Sequence, residues 1–258
     1  MIRVGVIGAA GKMGREVCRA VLADPTLHLV AAVDENANAV EVAGSKVKIS
    51  DELEMLSDAE VEVAVDFTHP SSVMNNVRWC VRHAVHAVVG TTGLSDANLE
   101  EIARLIDEEG SESNVFVAPN FAIGAVLMMK FSAMAARYFP SVEIVELHHD
   151  QKADAPSGTS IKTAQRIATE RKDAAPVAGG ETIPGARGGQ VDGIPIHSVR
   201  LRGLVAHQEV LLGAPGQLLT IRHDSFDRAS FMPGVILAVK EVANRPGLTV
   251  GLENLLDL

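Results

Sequence analysis

The sequence predicts an α/β fold in which a parallel sheet is covered by helices on both faces. The first observation is that strand and helix patterns alternate from Arg3 to Ala118, and each strand is apolar along its whole length. Strands of this kind are typical of parallel sheets whose connecting helices cover both sides. The second observation is a glycine-punctuated turn, Gly8 to Gly14, which follows the first strand and begins the first helix. Together these elements predict a Rossmann-type sheet that begins with a βαβ unit.

The N-terminal half reads as strands separated by helices, with turn residues at the boundaries. Runs of β-branched residues mark the strands, and Pro70 marks the start of the second helix. On the first helix, Val17 and Val21 have the spacing of a buried face, and Leu22 is expected beside them. The predicted strands are Arg3–Ile7, His28–Val33, Val61–Phe67, Ala87–Gly90 and Asn114–Ala118, and the later helices are Ser71–His83 and Asp96–Glu109.

After Pro119 this regular alternation stops, and the elements indicate an α+β arrangement. The Gly/Pro-rich stretch from Ala178 to Gly193 predicts a long loop, to which we assign no role. Gly203 and the Pro215-Gly216 turn separate three strands that we expect to be antiparallel. The predicted strands are Val142–Leu147, Ile196–Leu201, Ala206–Leu212 and Gln217–His223, and the predicted helices are Phe121–Phe139, Ser160–Arg171 and Pro233–Val242.

The composition is that of an ordinary globular protein and limits its partners. The chain has 258 residues, is 47% hydrophobic and carries a formal net charge of -10. Nonspecific nucleic-acid binding needs Lys and Arg to neutralise phosphates, so we expect no nucleic-acid partner. The most apolar segment, Phe121 to Met129, is too short to span a bilayer. Cys18 and Cys80 lie in apolar, helix-like stretches and the N-terminus has no signal-peptide layout, so we expect a cytoplasmic protein.

The glycine turn is the first candidate site. Gly8, Gly11 and Gly14 recur at every third position, and such a turn lets a pyrophosphate approach the N–H groups of a helix N-terminus. Asp34 ends the second strand about 20 residues later, where an acid binds the adenosine ribose. The alternative is that the glycines only form a turn and that Asp34 is solvated. The strand, turn and helix context, with an acid at this spacing, favours a dinucleotide.

The charges beside Asp34 predict which dinucleotide binds. Asp34 and Glu35 would repel the 2′-phosphate of NADPH, and Asn36 follows where an Arg could have accepted it. Lys12 in the glycine turn would offset part of this repulsion. We therefore predict that the cofactor is NADH, NADPH or both, with NADH favoured.

The most informative segment runs from Glu146 to Thr159. Two adjacent histidines and a lysine directly follow a predicted strand, where catalytic groups are often found, and a helix begins at the end of the segment. A histidine can donate a proton near neutral pH, and the helix N-terminus can bind a carboxylate. The alternatives are a solvated loop or metal ligands, but metal-ligand spacing is missing nearby, so we predict no metal. The residues concerned are His148, His149 and Lys152, followed by Gly158 and Thr159.

Motifs in both halves resemble a known enzyme family. The segment from His148 to Thr159 is similar, nearly residue for residue, to the signature of the 4-hydroxy-tetrahydrodipicolinate reductases, formerly called dihydrodipicolinate reductases. Three further motifs occur in the family's order, and the resemblance covers essentially the full chain. They are Asp66-Phe67-Thr68-His69-Pro70, Val89-Gly90-Thr91-Thr92-Gly93 and Ala118-Pro119-Asn120-Phe121-Ala122-Ile123-Gly124.

The resemblance implies an architecture and a reaction. Residues 1–119 and 232–258 would form the dinucleotide-binding domain, and residues 120–231 an inserted α+β domain for substrate binding and oligomerisation. The family's antiparallel sheet builds a homotetramer. Its reaction reduces 4-hydroxy-2,3,4,5-tetrahydrodipicolinate, a small dicarboxylate, to 2,3,4,5-tetrahydrodipicolinate with NAD(P)H, a step of the diaminopimelate route to lysine.

The resemblance also implies a role for each matched residue. His148 would be the proton donor and acceptor, and Lys152 a second proton donor. The substrate carboxylates would be bound by His149, Gly158 and Thr159. The cofactor would be bound by Gly8, Ala9, Ala10, Gly11, Lys12, Met13, Gly14 and Asp34 at one end, and by Gly90, Thr91, Thr92, Ala118, Pro119, Asn120 and Phe121 at the nicotinamide end. Glu35 departs from those family members that carry an Arg there, which puts NADPH use in question.

Other functions stay open at this point. One is a different two-domain NAD(P)-dependent dehydrogenase, but the semialdehyde type needs a catalytic thiol that Cys18 and Cys80 match poorly. Another is a nucleotide-sensing regulator without catalysis, for which a basic helix-turn-helix pattern would be expected and is missing from the sequence. A third is an inactive homologue that serves as a scaffold, and the intact His148 and Lys152 argue against it.

Overall fold

The computed structural model describes residues 1–36, 40–171 and 180–256, and the chain divides into two compact units. The first unit comprises residues 1–123 and 231–258, and the second comprises residues 124–230. The predicted domain limits, at 119/120 and 231/232, lie a few residues from the limits of these units.

The elements are named here in chain order. The strands are β1 Ile2–Ile7, β2 Leu27–Val33, β3 Ile49–Ser50, β4 Val63–Asp66, β5 His86–Val89, β6 Val115–Val117, β7 Ser141–His148, β8 Gly189–Val191, β9 Ile194–Arg200, β10 Ala206–Ala214, β11 Gln217–Ser225 and β12 Leu248–Val250. The helices are α1 Lys12–Ala23, α2 Met55–Asp58, α3 Val73–Arg82, α4 Asp96–Glu109, α5 Ile123–Ala136, α6 Gly158–Glu170 and α7 Met232–Glu241.

The first unit contains a seven-stranded sheet with the order β12-β6-β5-β4-β1-β2-β3. The strand pairs are parallel, which confirms the predicted Rossmann-type α/β fold. The chain leaves β1 toward β2 and β3 on one side, and later returns to β4 on the other side. The order therefore reverses between β1 and β4. Ligands of such sheets bind in the crevice at the carboxyl ends of the strands at this reversal.

Helix α1 buries a narrow apolar face. Gly14, Val17, Cys18 and Val21 are buried along it, but Leu22 is 39% exposed, so its predicted burial is wrong. Positions advance by about 100° per residue around a helix, which places Leu22 at the edge of the buried face.

The C-terminal segment completes the first unit. Strand β12 pairs parallel with β6 and forms an edge of the sheet. The Asn114 side-chain amide donates to the carbonyls of Val242 and Ala243 at 3.0 and 3.1 Å, and its oxygen accepts from Gly247 N at 3.1 Å. One buried amide thus fixes the turn that leads from α7 to β12, a strand that the sequence did not predict.

The second unit contains a five-stranded mixed sheet with the order β11-β10-β7-β9-β8. The prediction that β9, β10 and β11 are consecutive antiparallel strands is wrong for β9, which pairs parallel with β7 and antiparallel with β8. Strands β10 and β11 are antiparallel as predicted. A parallel pair needs a crossover connection, and the chain between β7 and β9 provides one through α6. The turn at Gly203 therefore carries the chain past the end of β7 to β10.

Helix α6 packs against one face of this sheet. Ala164 and Ile167 are buried along it, and the Gln208 amide donates to Thr163 Oγ1 at 2.8 Å. Part of the stretch predicted as a loop from residue 178 to 193 forms β8, which corrects that prediction; residues 178 and 179 lie outside the described residues. Gly188 has a φ of +73°, and a Cβ there would lie 2.3 Å from the Ile196 carbonyl oxygen, so close pairing with β9 requires glycine.

In residues 1–36, 40–171 and 180–256, none of the helices has the length and apolar character needed to cross a membrane.

Candidate active site

The glycine turn leaves room for nothing larger than glycine at two positions. Gly8 has a φ of +82°, and a Cβ there would lie 2.5 Å from the Phe67 carbonyl oxygen. A Cβ on Gly14 would lie 2.0 Å from the Gly8 carbonyl oxygen. The turn is therefore pressed against both the loop after β4 and the first turn of α1. Such close packing is the arrangement in which backbone can approach a pyrophosphate.

The N-terminus of α1 is suited to an anion. Its cap residue is Gly11, and within the described residues no side chain caps the helix and no acidic residue lies in its first turn. Gly11 N donates to Gly8 O at 3.0 Å, and Arg15 N donates to Gly11 O at 3.1 Å. The N–H groups of Lys12, Met13 and Gly14 lie in the first turn of the helix, where no carbonyl of the helix is in position to accept from them. The predicted pyrophosphate residues thus surround a helix N-terminus.

Asp34 connects this turn to a cavity. Its carboxylate accepts from Ala10 N at 2.9 Å and from Asn36 N at 3.0 Å, so it holds the glycine turn as well as the end of β2. The cavity, of about 400 Å³, has three carboxylates on its wall. These belong to Asp34, Glu35 and Asp51. No motif or spacing in the sequence selects Asp51, which lies just after the short strand β3.

A buried carboxylate organises the loops after β4 and β5. Asp66 is 2% exposed and accepts from the Thr68 and Thr91 hydroxyls at 2.8 and 2.7 Å and from the Asn76 amide at 2.7 Å. The Thr68 backbone N–H also donates to Thr91 Oγ1, at 2.7 Å. In the sequence, Asp66 stands out only as part of a motif. Its position at the carboxyl end of a buried strand is the signal that could have identified its role.

The residues predicted for the nicotinamide end lie at the same edge of the sheet. A Cβ on Gly90 would lie 2.2 Å from the Phe67 ring. Phe121 is 2% exposed, and its ring centroid lies 5.9 Å from that of Phe67. Asn120 Oδ1 accepts from Ala122 N at 2.9 Å. The segments 90–92 and 118–121 follow β5 and β6, so the structure brings them to the carboxyl ends of the strands together with the glycine turn.

In the second unit the central group is Glu146, which is 0% exposed. Its Oε2 lies 2.5 Å from His148 Nδ1 and accepts from Arg200 Nη1 at 2.9 Å. Its Oε1 accepts from Arg200 Nη2 at 2.8 Å and from Ser157 N at 3.2 Å. Glu146 and His148 are two residues apart on β7, so their side chains share one face of the sheet. Arg200 lies opposite His148 on β9.

These contacts shift the pKa values of the pair. Burial lowers the pKa of His148 and outweighs the hydrogen bond that its Nδ1 donates to Glu146, which raises the pKa; the charges of Lys152 and Arg200 lower it further. Burial alone would raise the pKa of Glu146, but its hydrogen-bond donors, Arg200 first among them and then His148, lower it overall. Glu146 is therefore a carboxylate at neutral pH, and His148 Nε2 is the ring nitrogen left for a substrate.

Lys152 lies in the loop after β7, near His148. Its Nζ donates to both carboxylate oxygens of Asp154, at 2.7 and 2.9 Å, and its side chain is 22% exposed. The hydrogen bond from Lys152 lowers the pKa of Asp154. His149 is exposed beside this loop. The structure thus brings the predicted His148 and Lys152 into one site.

The N-terminus of α6 completes the site. Ser157 is the cap, and its hydroxyl accepts from Ser160 N at 3.2 Å. Gly158 is exposed, and a Cβ there would meet nothing within 4 Å, so the first turn of the helix faces open space. The N–H groups of Gly158 and Thr159 come before the first N–H that donates within the helix. They can therefore bind a carboxylate.

Two residues of this site were missed from the sequence. Glu146 has no predicted role, although a charged residue at this position continues the alternation of buried Val142 and Ile144 on β7, which is a usable signal. Arg200 had no such signal, because its approach to Glu146 depends on the parallel pairing of β7 and β9, which was not predicted.

Neither cysteine has the properties of a catalytic nucleophile. Cys18 and Cys80 are free and buried, and burial raises the pKa of the Cys18 thiol to about 12 and that of Cys80 well above its usual range. Neither is a reactive thiolate. Across the parts of the chain that the structure describes, no group of three or more His, Cys, Asp or Glu side chains could hold a metal ion.

Both halves of the chain match one protein family. The N-terminal family model of dihydrodipicolinate reductase matches residues 2–121, and the C-terminal model matches residues 124–256. The 4-hydroxy-tetrahydrodipicolinate reductase of Nocardia farcinica is 53% identical over 261 residues, which cover 100% of this chain and 99% of that protein. The protein of the same name from Streptomyces griseus is 51% identical over 100% of this chain and 98% of its own length.

Solved structures give the same result. The dipicolinate-bound dihydrodipicolinate reductase of Paenisporosarcina sp. TG-14 superposes with a TM-score of 0.89 and 45% identity, over 99% of this chain and 100% of that one. An amine dehydrogenase from Mycobacterium smegmatis superposes with a TM-score of 0.65 at 15% identity, covering 96% of this chain and 94% of its own. The latter likeness concerns the fold alone.

The glycine turn gives a first testable prediction. Gly14→Ala places a methyl group 2.0 Å from a backbone oxygen, whereas the same change at Gly11 leaves 3.2 Å. Because alanine favours a helix more than glycine does, a loss of stability at position 14 is due to the clash and not to helix propensity. We expect Gly14→Ala to lower the free energy of unfolding by about 2 kcal/mol or more, and Gly11→Ala by less than about 1 kcal/mol. Urea unfolding without nucleotide measures both, and equal losses would contradict the close packing of the turn.

Proposed function

The chain belongs to the dihydrodipicolinate reductase family, and from this premise we propose that it reduces 4-hydroxy-2,3,4,5-tetrahydrodipicolinate to 2,3,4,5-tetrahydrodipicolinate with NADH or NADPH, in the diaminopimelate route to lysine. The family membership confirms the resemblance found in the sequence motifs. The observation that carries the proposal is the site in the second unit, where His148 is hydrogen-bonded to a buried carboxylate beside Lys152. This arrangement provides a proton donor and a cation for an anionic substrate.

The reaction needs one hydride and one proton after loss of water. Elimination of the 4-hydroxyl group as water gives a conjugated ring, and the bound dinucleotide supplies a hydride to ring C4. We assign to His148 the proton that the adjacent carbon gains, delivered from Nε2, because Nδ1 is hydrogen-bonded to Glu146. A positioned general acid contributes about 10²- to 10⁴-fold to a rate. Lys152 serves as a second donor and stabilises negative charge that develops in the ring.

The substrate carboxylates need cations or N–H donors. His149 is exposed beside Lys152, and the N–H groups of Gly158 and Thr159 lie at the open N-terminus of α6. A helix N-terminus favours an anion through its free N–H groups and its dipole. We assign carboxylate binding to these three residues.

The first unit supplies the dinucleotide site. Gly8 to Gly14 hold the pyrophosphate, Asp34 binds the adenosine ribose, and segments 90–92 and 118–121 bind the nicotinamide end. The crowding at Gly8 and Gly14 supports the first assignment, because only glycine lets the backbone pass there. Asp66 fixes the threonine-bearing loops of the nicotinamide end by its hydrogen bonds to Thr68 and Thr91.

We propose that NADH is the preferred cofactor. The wall of the cavity beside the glycine turn carries the carboxylates of Asp34, Glu35 and Asp51. A 2′-phosphate on the ribose would meet three negative charges at short range, and a partly enclosed site screens such repulsion poorly. Lys12 is exposed in the turn and offsets only part of it.

A homotetramer is the proposed assembly. The sheet face opposite α6 carries Val145, Leu147 and Leu211, which are half-buried, and Leu218, which is 67% exposed. Apolar residues on an open sheet face mark an interaction surface more often than a solvated one. The two buried free thiols support a reducing compartment, so we place the enzyme in the cytoplasm.

The role of His148 is tested by His148→Gln. We expect turnover to fall by about 10²- to 10⁴-fold because the proton donor is lost, while NADH affinity is unchanged. His28→Gln, at an exposed histidine on β2, is the control and is expected to keep full turnover. Turnover is followed as NADH oxidation with substrate made in place from pyruvate and aspartate semialdehyde by the preceding synthase. Wild-type turnover by His148→Gln would remove this residue from the mechanism.

Cofactor preference is tested by replacing Glu35. The wild type is expected to have a higher kcat/KM with NADH than with NADPH. Glu35→Arg should raise kcat/KM for NADPH about tenfold or more, since it changes repulsion of the 2′-phosphate into attraction, equivalent to at least about 1.4 kcal/mol. Glu100→Arg makes the same charge change on α4, at an exposed position, and should leave the ratio unaltered. A wild-type preference for NADPH would contradict the argument.

The assembly is tested by light scattering. The expected mass of the wild type is four times that of the 27.3 kDa chain. Leu218→Asp should reduce the mass without unfolding the chain, because Leu218 is already 67% exposed in a single protomer. Leu22→Asp, at a 39% exposed leucine of the first unit, is the control and should leave the mass unchanged. A monomeric wild type would overturn the proposal.

A further inference from the structure

We infer that Glu146 is a positioning residue for the reaction: held by Arg200, it fixes the tautomer and ring orientation of His148 and joins that ring to the N-terminus of α6. The inference rests on the proposed function, since it concerns how His148 acts. It adds two residues, Glu146 and Arg200, that act through another group and are not assigned to substrate or cofactor.

The first step is that Glu146 has no capacity left for a substrate. A carboxylate has about four acceptor positions on its two oxygens. Oε1 accepts from Arg200 Nη2 and Ser157 N, and Oε2 accepts from Arg200 Nη1 and is paired with His148 Nδ1. With an exposure of 0%, Glu146 cannot exchange any of these partners for water. Its role is therefore internal to the protein.

The second step concerns the His148 ring. Nδ1 of His148 lies within hydrogen-bonding distance of Glu146 Oε2, an acceptor that carries charge. A carboxylate accepts only, so the proton of this bond resides on Nδ1, and Nε2 is the atom whose protonation changes. A side chain hydrogen-bonded in this way also has a fixed ring plane. The arrangement follows the general rule that the hydrogen bond at one ring nitrogen sets the role of the other.

The third step is that both Nη atoms of Arg200 are occupied by protein acceptors, while its Nε is buried and has no hydrogen-bond partner among the described residues. Its Nη1 donates to Glu146 Oε2 and to the Val199 carbonyl at 2.9 Å, and its Nη2 donates to Glu146 Oε1 and to the Asp154 carbonyl at 2.6 Å. Each Nη has two hydrogens, so all four are used. Arg200 thus neutralises the buried carboxylate and anchors the loop that carries Lys152, rather than binding a substrate carboxylate.

The fourth step connects the network to the carboxylate site. Glu146 Oε1 accepts from the N–H of Ser157, the cap residue of α6. The open N–H groups of Gly158 and Thr159 come next in the chain. One carboxylate therefore sets the position of the proton donor on β7 and of the anion-binding turn at the start of α6.

The effect on pH dependence has a definite sign. The charged groups that face His148 are Glu146 on the same strand, Arg200 on β9 and Lys152 in the following loop. Glu146 raises the pKa of His148, whereas Arg200 and Lys152 lower it. Loss of the Glu146 charge must lower the pKa of His148, so the protonated donor disappears at lower pH.

The first experiment is Glu146→Gln in the full-length enzyme. We expect kcat to fall by about 10- to 100-fold, as for other residues that orient a catalytic group, with the KM for NADH unchanged. The alkaline limb of kcat/KM should move to lower pH. The matched control is Glu143→Gln, because Glu143 on the opposite face of β7 also pairs with an arginine and a histidine, Arg187 and His197. Glu143→Gln should change neither kcat nor the position of the alkaline limb of kcat/KM. The oligomer mass is measured for each variant.

The second experiment separates positioning from a general structural role. In a His148→Gln background, the further loss caused by Glu146→Gln should shrink to less than about threefold, because a residue that acts through His148 has nothing left to position. Losses that multiply fully in the double variant would overturn the inference. So would an unmoved pH limb in Glu146→Gln.

Folding is controlled by removing both charges together. The double variant Glu146→Gln, Arg200→Gln leaves no buried charge unpaired. It replaces the single variant if circular dichroism shows that the single variant is unfolded. The non-additivity test with His148→Gln then applies unchanged. An inactive wild type would refute the proposed function itself, whereas an active wild type with a fully active Glu146→Gln would refute only this inference.

Discussion

The charge of Glu146 is the constraint on which the second unit depends. A carboxylate that water does not reach is tolerated only when its oxygens are paired, and here the partners come from three separate pieces of chain: β9, the cap of α6 and β7 itself. The parallel pairing of β7 with β9 is what brings Arg200 within reach. The sheet topology, the start of α6 and the position of His148 therefore meet at one buried ion.

The first unit also contains a buried carboxylate, but its hydrogen-bond partners are neutral. Asp66 ends β4 as a buried carboxylate, and hydroxyl and amide donors from Thr68, Thr91 and Asn76 surround it. Its hydrogen bonds tie the loops of two adjacent strands together at the edge that we propose as the dinucleotide site. In both units a buried acid near the end of a central strand holds the neighbouring loops in place through its hydrogen bonds. The donors differ between the two units: the arginine partner is found beside His148, the residue that we propose as the proton donor.

The sequence predicted those features that local signals encode. Helix α4 begins and ends where predicted, since Ser95 and Asn98 form a capping box and Gly110 ends the helix with a φ of +56°. The parallel sheet and the glycine turn followed from apolar runs and glycine spacing. The direction of β9 did not, because a strand's own residues do not reveal which neighbour it pairs with or in which sense. Arg200 and Asp51 were missed for the same reason, as their roles arise from distant parts of the chain.

The pairing of Arg200 with Glu146 has a consequence for how the enzyme is made. The two residues are 54 positions apart, and the intervening chain must close before the ion pair exists. Such long-range closure is slow compared with the formation of a local helix, because loop entropy is lost before the contact is gained. Until it closes, the donor ring has no anchored carboxylate. On the role that we propose for Glu146, activity requires this closure, so recovered activity is a stricter measure of refolding than recovered helix content.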